Sequence, residues 1–215
     1  KTGQIMVRIN EMARRVATHP NKLLTTLIAN GATAAAYDGQ PFFASAHSEG
    51  DSGAQSNSIT FDAATPTAPT DGEMYGAIVQ AIGQLLGLRD DAGEPLNEGA
   101  REFLVMVPMP LLPPTLLALA GTTADGLRRP LAGPEPFHVQ WVANPRLTWT
   151  SQFAVFRADG ETRPFIFQEE LPVQVHALAD GSELEINENQ HQYGVKAIHA
   201  AGYGFWQNAC LVTFN

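Results

Sequence analysis

One stretch of the chain brings a histidine and acidic residues close enough in sequence to form an acid–base site. The stretch YDGQPFFASAHSEGDSGAQSN, residues 37–57, contains His47, with Asp38 before it and Asp51 after it. A carboxylate beside an imidazole is an arrangement that acid–base catalysis and metal sites use. The spacing does not require the three side chains to meet. The sequence favours solvated turn residues in a structural loop that has aromatic anchors at its base and a small polar tip.

Cys210 and His199 are a second pair of residue types that could do chemistry. A catalytic thiolate needs a nearby cation or a helix N-terminus to stabilise it. Cys210, the only cysteine, stands instead between Ala209 and Leu211 in an apolar, strand-like segment. We therefore expect Cys210 to fill the core, and a hydrolase that uses Cys210 with His199 is the alternative function.

The spacing of the other titratable residues does not indicate a site. The six histidines form no H-E-x-x-H pattern. On one unbroken strand His191 and His199 would lie roughly 27 Å apart. Glu169 and Glu170 are adjacent, so they would point to opposite faces of a strand. The sequence also lacks a G-x-S-x-G nucleophile elbow and a phosphate-binding loop. We predict no catalytic, cofactor-binding or metal-binding residue, no small-molecule substrate and no enzyme.

Charge and composition limit the classes of partner. The net charge of −9 disfavours DNA binding as the main task of the surface. Residues 1–22 carry five basic residues and one acidic residue, whereas the other 193 carry eight and 21. A basic segment that heads an acidic body could pair with the acidic face of a neighbouring copy, or it could be a solvated helix face. The apolar run at residues 103–121 contains four prolines, which argues against a membrane span.

Periodicity predicts helices at the front of the chain and strands at the back. Helical spacing is present near residues 5–16, in HPNKLLTTLIANG (19–31) and over residues 71–87, where Thr70 and Glu73 form a capping-box pattern. EFLVMVP reads as a buried strand and PPTLLALAG as a short helix opened by proline. From residue 136 the period changes to two, including the segment LEINENQHQYGVKAIHAAGY. The order of elements predicts an α+β fold with a substantial antiparallel sheet, in one domain or two packed subdomains.

Two segments resemble a known family. YDGQPFFASAH, followed by SN at 56–57, and QYGVKAIHAAGYGFWQNA near the C-terminal end resemble the Mu-like phage major head subunits, the gpT proteins. The helix at 71–87, the RDDAGEPL turn and FLVMVPMPLLPPTLLALA match the middle of that family in order and spacing. Family members are usually longer before the first helix. The chain begins with Lys1, so we expect an N-terminal arm to be missing and this form to be a monomer or small oligomer.

The resemblance implies the tailed-phage capsid fold of the Hong Kong 97 type. Such subunits have a peripheral domain with a long spine helix, an axial domain and an extended loop that reaches a neighbour. By analogy the helix at 71–87 is the candidate spine, residues 1–70 hold the N-terminal helices with a possible extended loop at 37–61, and residues 71–215 form the remaining body. No catalytic residue is carried over, because the family has none.

The resemblance also implies the function and the partners. We expect a structural subunit of an icosahedral phage or prophage head that assembles into pentamers and hexamers around double-stranded DNA, which it touches only non-specifically. Scaffold, protease and portal proteins are the expected further partners. The host cytoplasm is the site of assembly and the virion is the destination, with no membrane stage. A cellular compartment shell of the same fold is a further alternative.

Overall fold

The chain folds into a mixture of helices and strands in two compact units. The computed structural model describes residues 2–119, 137–179 and 181–215. The smaller unit comprises residues 1–26 and 166–202, and the larger unit comprises residues 27–165 and 203–215. The boundary expected between residues 70 and 71 falls inside the larger unit. None of the helices in the described ranges is long and apolar enough to span a membrane.

The two predicted N-terminal helices are confirmed. Helix α1 covers Thr2–Ala17 and α2 covers His19–Asn30. On the exposed side of α1, Glu11 accepts hydrogen bonds from Arg8 at 3.0 Å and Arg15 at 2.9 Å. These guanidinium groups lower the pKa of Glu11. The basic residues of this segment are therefore partly neutralised within their own helix.

The smaller unit also contains a two-stranded sheet. It is formed by β5, Phe165–Leu178, and β6, Gln192–Tyr203. The connection between them contains a short helix, α5, at Glu183–Glu188, where the sequence pattern predicted a strand. Ser182 accepts a hydrogen bond from the Glu185 N–H at the start of this helix, and Asn189 ends it with φ 53°. Such capping makes one helical turn more stable than the extended form that the alternation suggested.

The larger unit is built on a five-stranded sheet in the order β1-β7-β4-β2-β3. The strands are β1 Ser58–Phe61, β2 Glu102–Val107, β3 His138–Ala143, β4 Gln152–Arg157 and β7 Ala209–Phe214. Strand β4 runs antiparallel to β2 and β7, whereas the outer pairs β1–β7 and β2–β3 are parallel. The expected antiparallel sheet is therefore a mixed sheet. Parallel neighbours need long connections, and the segment between β2 and β3 supplies one.

Helices α3, Asp71–Leu86, and α4, Leu112–Leu119, pack together, and α3 also packs on the sheet. The predicted capping box is present: Thr70 Oγ1 accepts from the Glu73 N–H, and the Glu73 carboxylate accepts from the Thr70 N–H. Six residues of α3 form its buried face: Met74, Ala77, Ile78, Ala81, Ile82 and Leu85. Residues 120 and 121, the end of the predicted proline-opened helix, lie outside the described residues.

Gly31 follows α2 and lies against the ring of Phe43. A Cβ at position 31 would lie 2.6 Å from Phe43 Cδ2, which is closer than real Cβ atoms approach. Phe43 is 4% exposed and therefore has little room to move. Glycine at this position is thus required by the close approach of the ring.

We expect Gly31→Ala to destabilise the fold by about 1–3 kcal/mol, because the new methyl group overpacks the core. Gly83 within α3 is the matched control, since a Cβ there meets nothing within 4 Å. Gly83→Ala should stabilise by about 0.5–1 kcal/mol through helix propensity. Urea unfolding of both variants gives the two free energies. A neutral Gly31→Ala would contradict the described packing.

Candidate functional site

The stretch at 37–57 is a folded loop within the larger unit. Phe42 and Phe43 are buried, as expected of the aromatic anchors. Isolated backbone bridges pair Ala35 with Pro41 and His47 with Gln55, and they close the loop in two places. The expectation of anchors at the base is confirmed for the two phenylalanines, whereas Tyr37 keeps 55% of its surface exposed.

His47 lies at the centre of this loop with no exposed surface. Its Nδ1 is 2.5 Å from Asp38 Oδ2, and its Nε2 is 3.2 Å from Asn57 Oδ1. Its ring stacks on the Trp206 ring with centroids 4.0 Å apart and planes 6° from parallel. The Asp38 side chain is 6% exposed. The prediction of solvated turn residues is therefore wrong for His47 and Asp38.

The orientation of the Asn57 amide shows that His47 donates a hydrogen bond through Nε2. Asn57 Nδ2 donates to the carbonyl oxygens of Phe42 at 2.7 Å and Trp206 at 3.2 Å, so Oδ1 is the acceptor atom. This oxygen also accepts from the Ala44 N–H at 2.9 Å. His47 Nε2 must therefore carry a proton, and a second proton lies between Nδ1 and Asp38. The pair is neutral as a whole, which lowers the cost of burying it.

A second layer of polar contacts ties the loop to the segment before β7. Glu49 accepts from the indole N–H of Trp206 at 3.0 Å and from Gln207 Nε2 at 3.4 Å. The Tyr37 hydroxyl lies 3.3 Å from Gln207 Oε1. Burial, with Glu49 nearby, raises the pKa of Tyr37 well above its usual range, so its hydroxyl stays protonated. The loop and the C-terminal segment thus form one connected network.

The polar tip of the loop packs against the turn after α3. The Asp51 N–H donates to the Asp91 carbonyl at 2.7 Å, and Gln55 bonds to the backbone of Arg89 in both directions. Gly50 has φ +49°, and a Cβ there would collide with the Asp91 carbonyl oxygen. The loop is held at its tip as well as at its base. Whether residues 37–61 are the extended loop of a capsid subunit stays a prediction.

This cluster has the parts of a catalytic dyad but lacks a reacting partner. A His–Asp pair activates a nucleophile when the second ring nitrogen faces a hydroxyl or a thiol. Here Nε2 of His47 faces an amide oxygen, and the ring is covered by Trp206. Asp51, the third residue of the predicted group, has an exposed side chain and does not join the pair. The buried imidazole, bonded at both nitrogens, holds the loop closed.

Cys210 lies on β7 with no exposed surface, as the sequence predicted. Its thiol lies 3.9 Å from the Leu211 carbonyl oxygen. Burial raises the pKa of Cys210 to about 12, so the thiol stays protonated at neutral pH. A protonated, buried thiol is a poor nucleophile.

The other two candidate histidines, His191 and His199, form hydrogen bonds within the smaller unit. His199 Nε2 lies 3.1 Å from His19 Nδ1, and these rings border a groove of about 340 Å³ between α1 and β6. His191 precedes β6 and bonds to Glu185 at 3.0 Å, so His191 and His199 do not share one strand. The hydrogen bond with His191 is the main reason that the pKa of Glu185 is lowered.

The described residues contain no group of three or more histidine, cysteine or carboxylate side chains that could hold a metal ion. Glu169 and Glu170 on β5 are both exposed. Gln207 and the pairing of His47 with Trp206 were not anticipated from the sequence. The sequence offered one indication of this contact: Asn57 lies in the first segment that carries the family resemblance, and Trp206 lies in the second.

Solved phage capsids have a similar fold. The chain is similar to a subunit in the mature capsid of bacteriophage PhiM1, with a TM-score of 0.51 and 14% identity over 94% of this chain and 64% of that one. A match to the procapsid of bacteriophage JBD30 has a TM-score of 0.43 and 18% identity over 95% of this chain. The chain spans 43% of that JBD30 chain. No curated protein matches. The α+β fold is that of the tailed-phage major capsid proteins.

The sequence itself identifies the family. The model of the Mu-like prophage major head subunit gpT matches residues 1–69 and 136–213, well over half of the chain. The chain belongs to this family. The family prediction is confirmed, and both segments that carried the resemblance lie within the matched residues.

We expect Asp38→Asn to destabilise the larger unit by about 3 kcal/mol, because it removes the carboxylate from a buried pair with His47. Asp51→Asn, in the same loop but exposed, should change the free energy of unfolding by less than about 0.5 kcal/mol. Urea unfolding followed by tryptophan fluorescence measures both. Equal effects would contradict the assignment of His47 and Asp38 as a buried pair.

We expect the Cys210 thiol to resist alkylation by iodoacetamide in the folded protein at pH 8, because it is buried and protonated. In urea, where its pKa returns to the ordinary range, the same thiol should react fully. Mass spectrometry counts the added groups. Rapid modification of the folded chain would support the alternative hydrolase, which needs an accessible thiolate.

Proposed function

We propose that this chain is the structural subunit of an icosahedral phage head and that it associates with copies of itself in pentamers and hexamers. Family membership carries the proposal. Rings of five and six need heterologous contacts, in which different patches of one subunit meet. The apolar side chains exposed on the smaller unit, among them Val175 at 66% and Ile186 at 76%, offer such patches.

The chemistry of the described side chains supports a structural role. The two constellations that could have been catalytic are the His47–Asp38 pair and Cys210. In the His47–Asp38 pair, the free ring nitrogen of His47 bonds to the Asn57 amide oxygen, and the Trp206 ring covers the imidazole. The Cys210 thiol is buried and protonated. We therefore propose that the hydrolase alternative does not apply. The gpT family match favours a phage head over a cellular compartment shell.

We further propose the partners and the place of assembly. Scaffold, protease and portal proteins would meet the subunit in the cytoplasm of the bacterial host, and the finished shell would be part of the virion. With a net charge of −9, the chain is expected to touch packaged double-stranded DNA without gripping it. Counterions or the basic residues of 1–22 would offset the charge repulsion between the acidic chain and the DNA phosphates.

The assignment of the capsid domains stays a prediction. The helix expected to be the spine, α3, lies in the larger unit with its apolar face buried. Helix α1 has the same length of 16 residues and lies in the smaller unit with the long two-stranded sheet. If α1 is the spine, the smaller unit is the peripheral domain and the larger unit is the axial domain.

Electron microscopy of the protein, expressed with its scaffold and protease, tests the proposed function. We expect closed shells of uniform diameter. Protein that remains monomeric with these partners would contradict the proposal.

A further inference from the structure

Two imidazole rings from distant parts of the chain face each other in the smaller unit. His19 is the first residue of α2, and His199 lies on β6. Nδ1 of His19 and Nε2 of His199 are 3.1 Å apart, and the ring centroids are 5.1 Å apart. The ring of Phe167 on β5 contacts the His199 ring, with centroids 5.5 Å apart. The pair therefore joins the start of α2 to the two-stranded sheet.

The pair borders a groove that solvent can enter. His19 is exposed and His199 is half-buried. The groove has a volume of about 340 Å³, and its other lining residues are Met12, Arg15, Val16, Val195 and Ala197. Arg15 is the charged residue of this lining, and its guanidinium lies 2.9 Å from the Glu11 carboxylate. Because Glu11 offsets the positive charge of Arg15, the groove does not repel a cation strongly.

The second nitrogen of His199 determines where the protons of the pair lie. Nδ1 of His199 is buried and has no hydrogen-bond partner among the described residues. A proton on this atom would be a buried donor without an acceptor, which is costly. The neutral ring therefore carries its proton on Nε2 and donates it to Nδ1 of His19. Without an ion, the pair is one hydrogen bond between two neutral rings.

We propose that Nδ1 of His19 and Nε2 of His199 also form a binding site for a divalent transition-metal ion such as Zn²⁺. Imidazole nitrogen binds Zn²⁺ at about 2.0–2.1 Å, so a tetrahedral ion holds two such nitrogens about 3.3–3.4 Å apart. The observed 3.1 Å separation requires only a small outward movement, which the exposed ring of His19 can make. The sequence predicted no metal-binding residue, because the two histidines are far apart in the chain.

The site binds its ion more weakly than a structural zinc site with four protein ligands. The described residues contain no group of three or more ligand side chains, so water fills the two remaining positions of the ion. The groove has room for it, since one water takes about 30 Å³. As the ion binds, His199 loses its Nε2 proton to solvent and takes one up on Nδ1, where it has no partner. The bound ion ties α2 to β6 and stabilises the folded chain as the ion concentration rises.

Zinc binding by the chain and by two single-histidine variants tests the inference. His19→Gln removes one ligand, and the matched control His176→Gln removes an exposed histidine of β5 in the same unit. Each variant keeps five of the six histidines. After metal is removed with EDTA, equilibrium dialysis against zinc chloride counts the ions bound per chain. Thermal unfolding in EDTA checks that the variants fold like the parent chain, and His199→Gln replaces His19→Gln if the latter does not.

We expect His19→Gln to bind one zinc ion fewer per chain than the parent chain, and His176→Gln to bind as many as the parent chain. Magnesium chloride should not compete, because Mg²⁺ prefers oxygen ligands. On the parent chain, zinc should slow the modification of His19 by diethyl pyrocarbonate several-fold, as mapped by mass spectrometry, and leave that of His176 unchanged. No zinc binding by the parent chain, equal binding by the two variants, or no protection of His19 would overturn the inference and leave the pair as a hydrogen bond only.

Discussion

The buried pair of His47 and Asp38 is the interaction on which the shape of the larger unit's loop depends. Both nitrogens of the imidazole face acceptors, and Trp206 covers the ring, so the loop can close only when the C-terminal segment is in place. Asn57 completes the arrangement, because its amide bonds to the backbone of the loop and of Trp206 at once. The loop and the end of the chain therefore fold as one unit.

Such a cluster explains why polar and aromatic residues are concentrated in the loop at 37–57 and in the segment before β7. A buried polar network is costly when incomplete and rigid when complete. Here the ring nitrogens of His47 and the amide atoms of Asn57 are paired with Asp38, with each other or with backbone groups. The residue types that suggest catalysis thus position a loop, which agrees with membership in a family of head subunits.

Local patterns predicted local structure well. The capping box of Thr70 and Glu73 and the apolar run of β2 are encoded by neighbours in sequence, so both were visible. The one-turn helix at Glu183–Glu188 was missed, because six residues are too few for a period and its caps outweigh alternation. The parallel pairing of β1 with β7 was not visible, because it joins Ser58 to Leu211 across the chain.

The candidate site also depends on long-range contacts that the sequence pattern does not reveal. The sequence placed Asp38, His47 and Asp51 together, but only the fold separates the buried pair from the exposed third residue. The decisive neighbour of His47 is Trp206, which lies far along the chain and reaches the loop only through tertiary packing. Sequence spacing therefore identified Asp38, His47 and Asp51 as candidates but could not show which of them are buried.

Native-state hydrogen exchange of the loop tests the account most directly. The N–H groups of Ala44 and His47 and the indole N–H of Trp206 donate inside the closed loop. If the loop is part of the core, these hydrogens exchange only when the larger unit unfolds, with the same free energy as residues of β7. Exchange at the rate of an open surface loop, while β7 stays protected, would contradict the account.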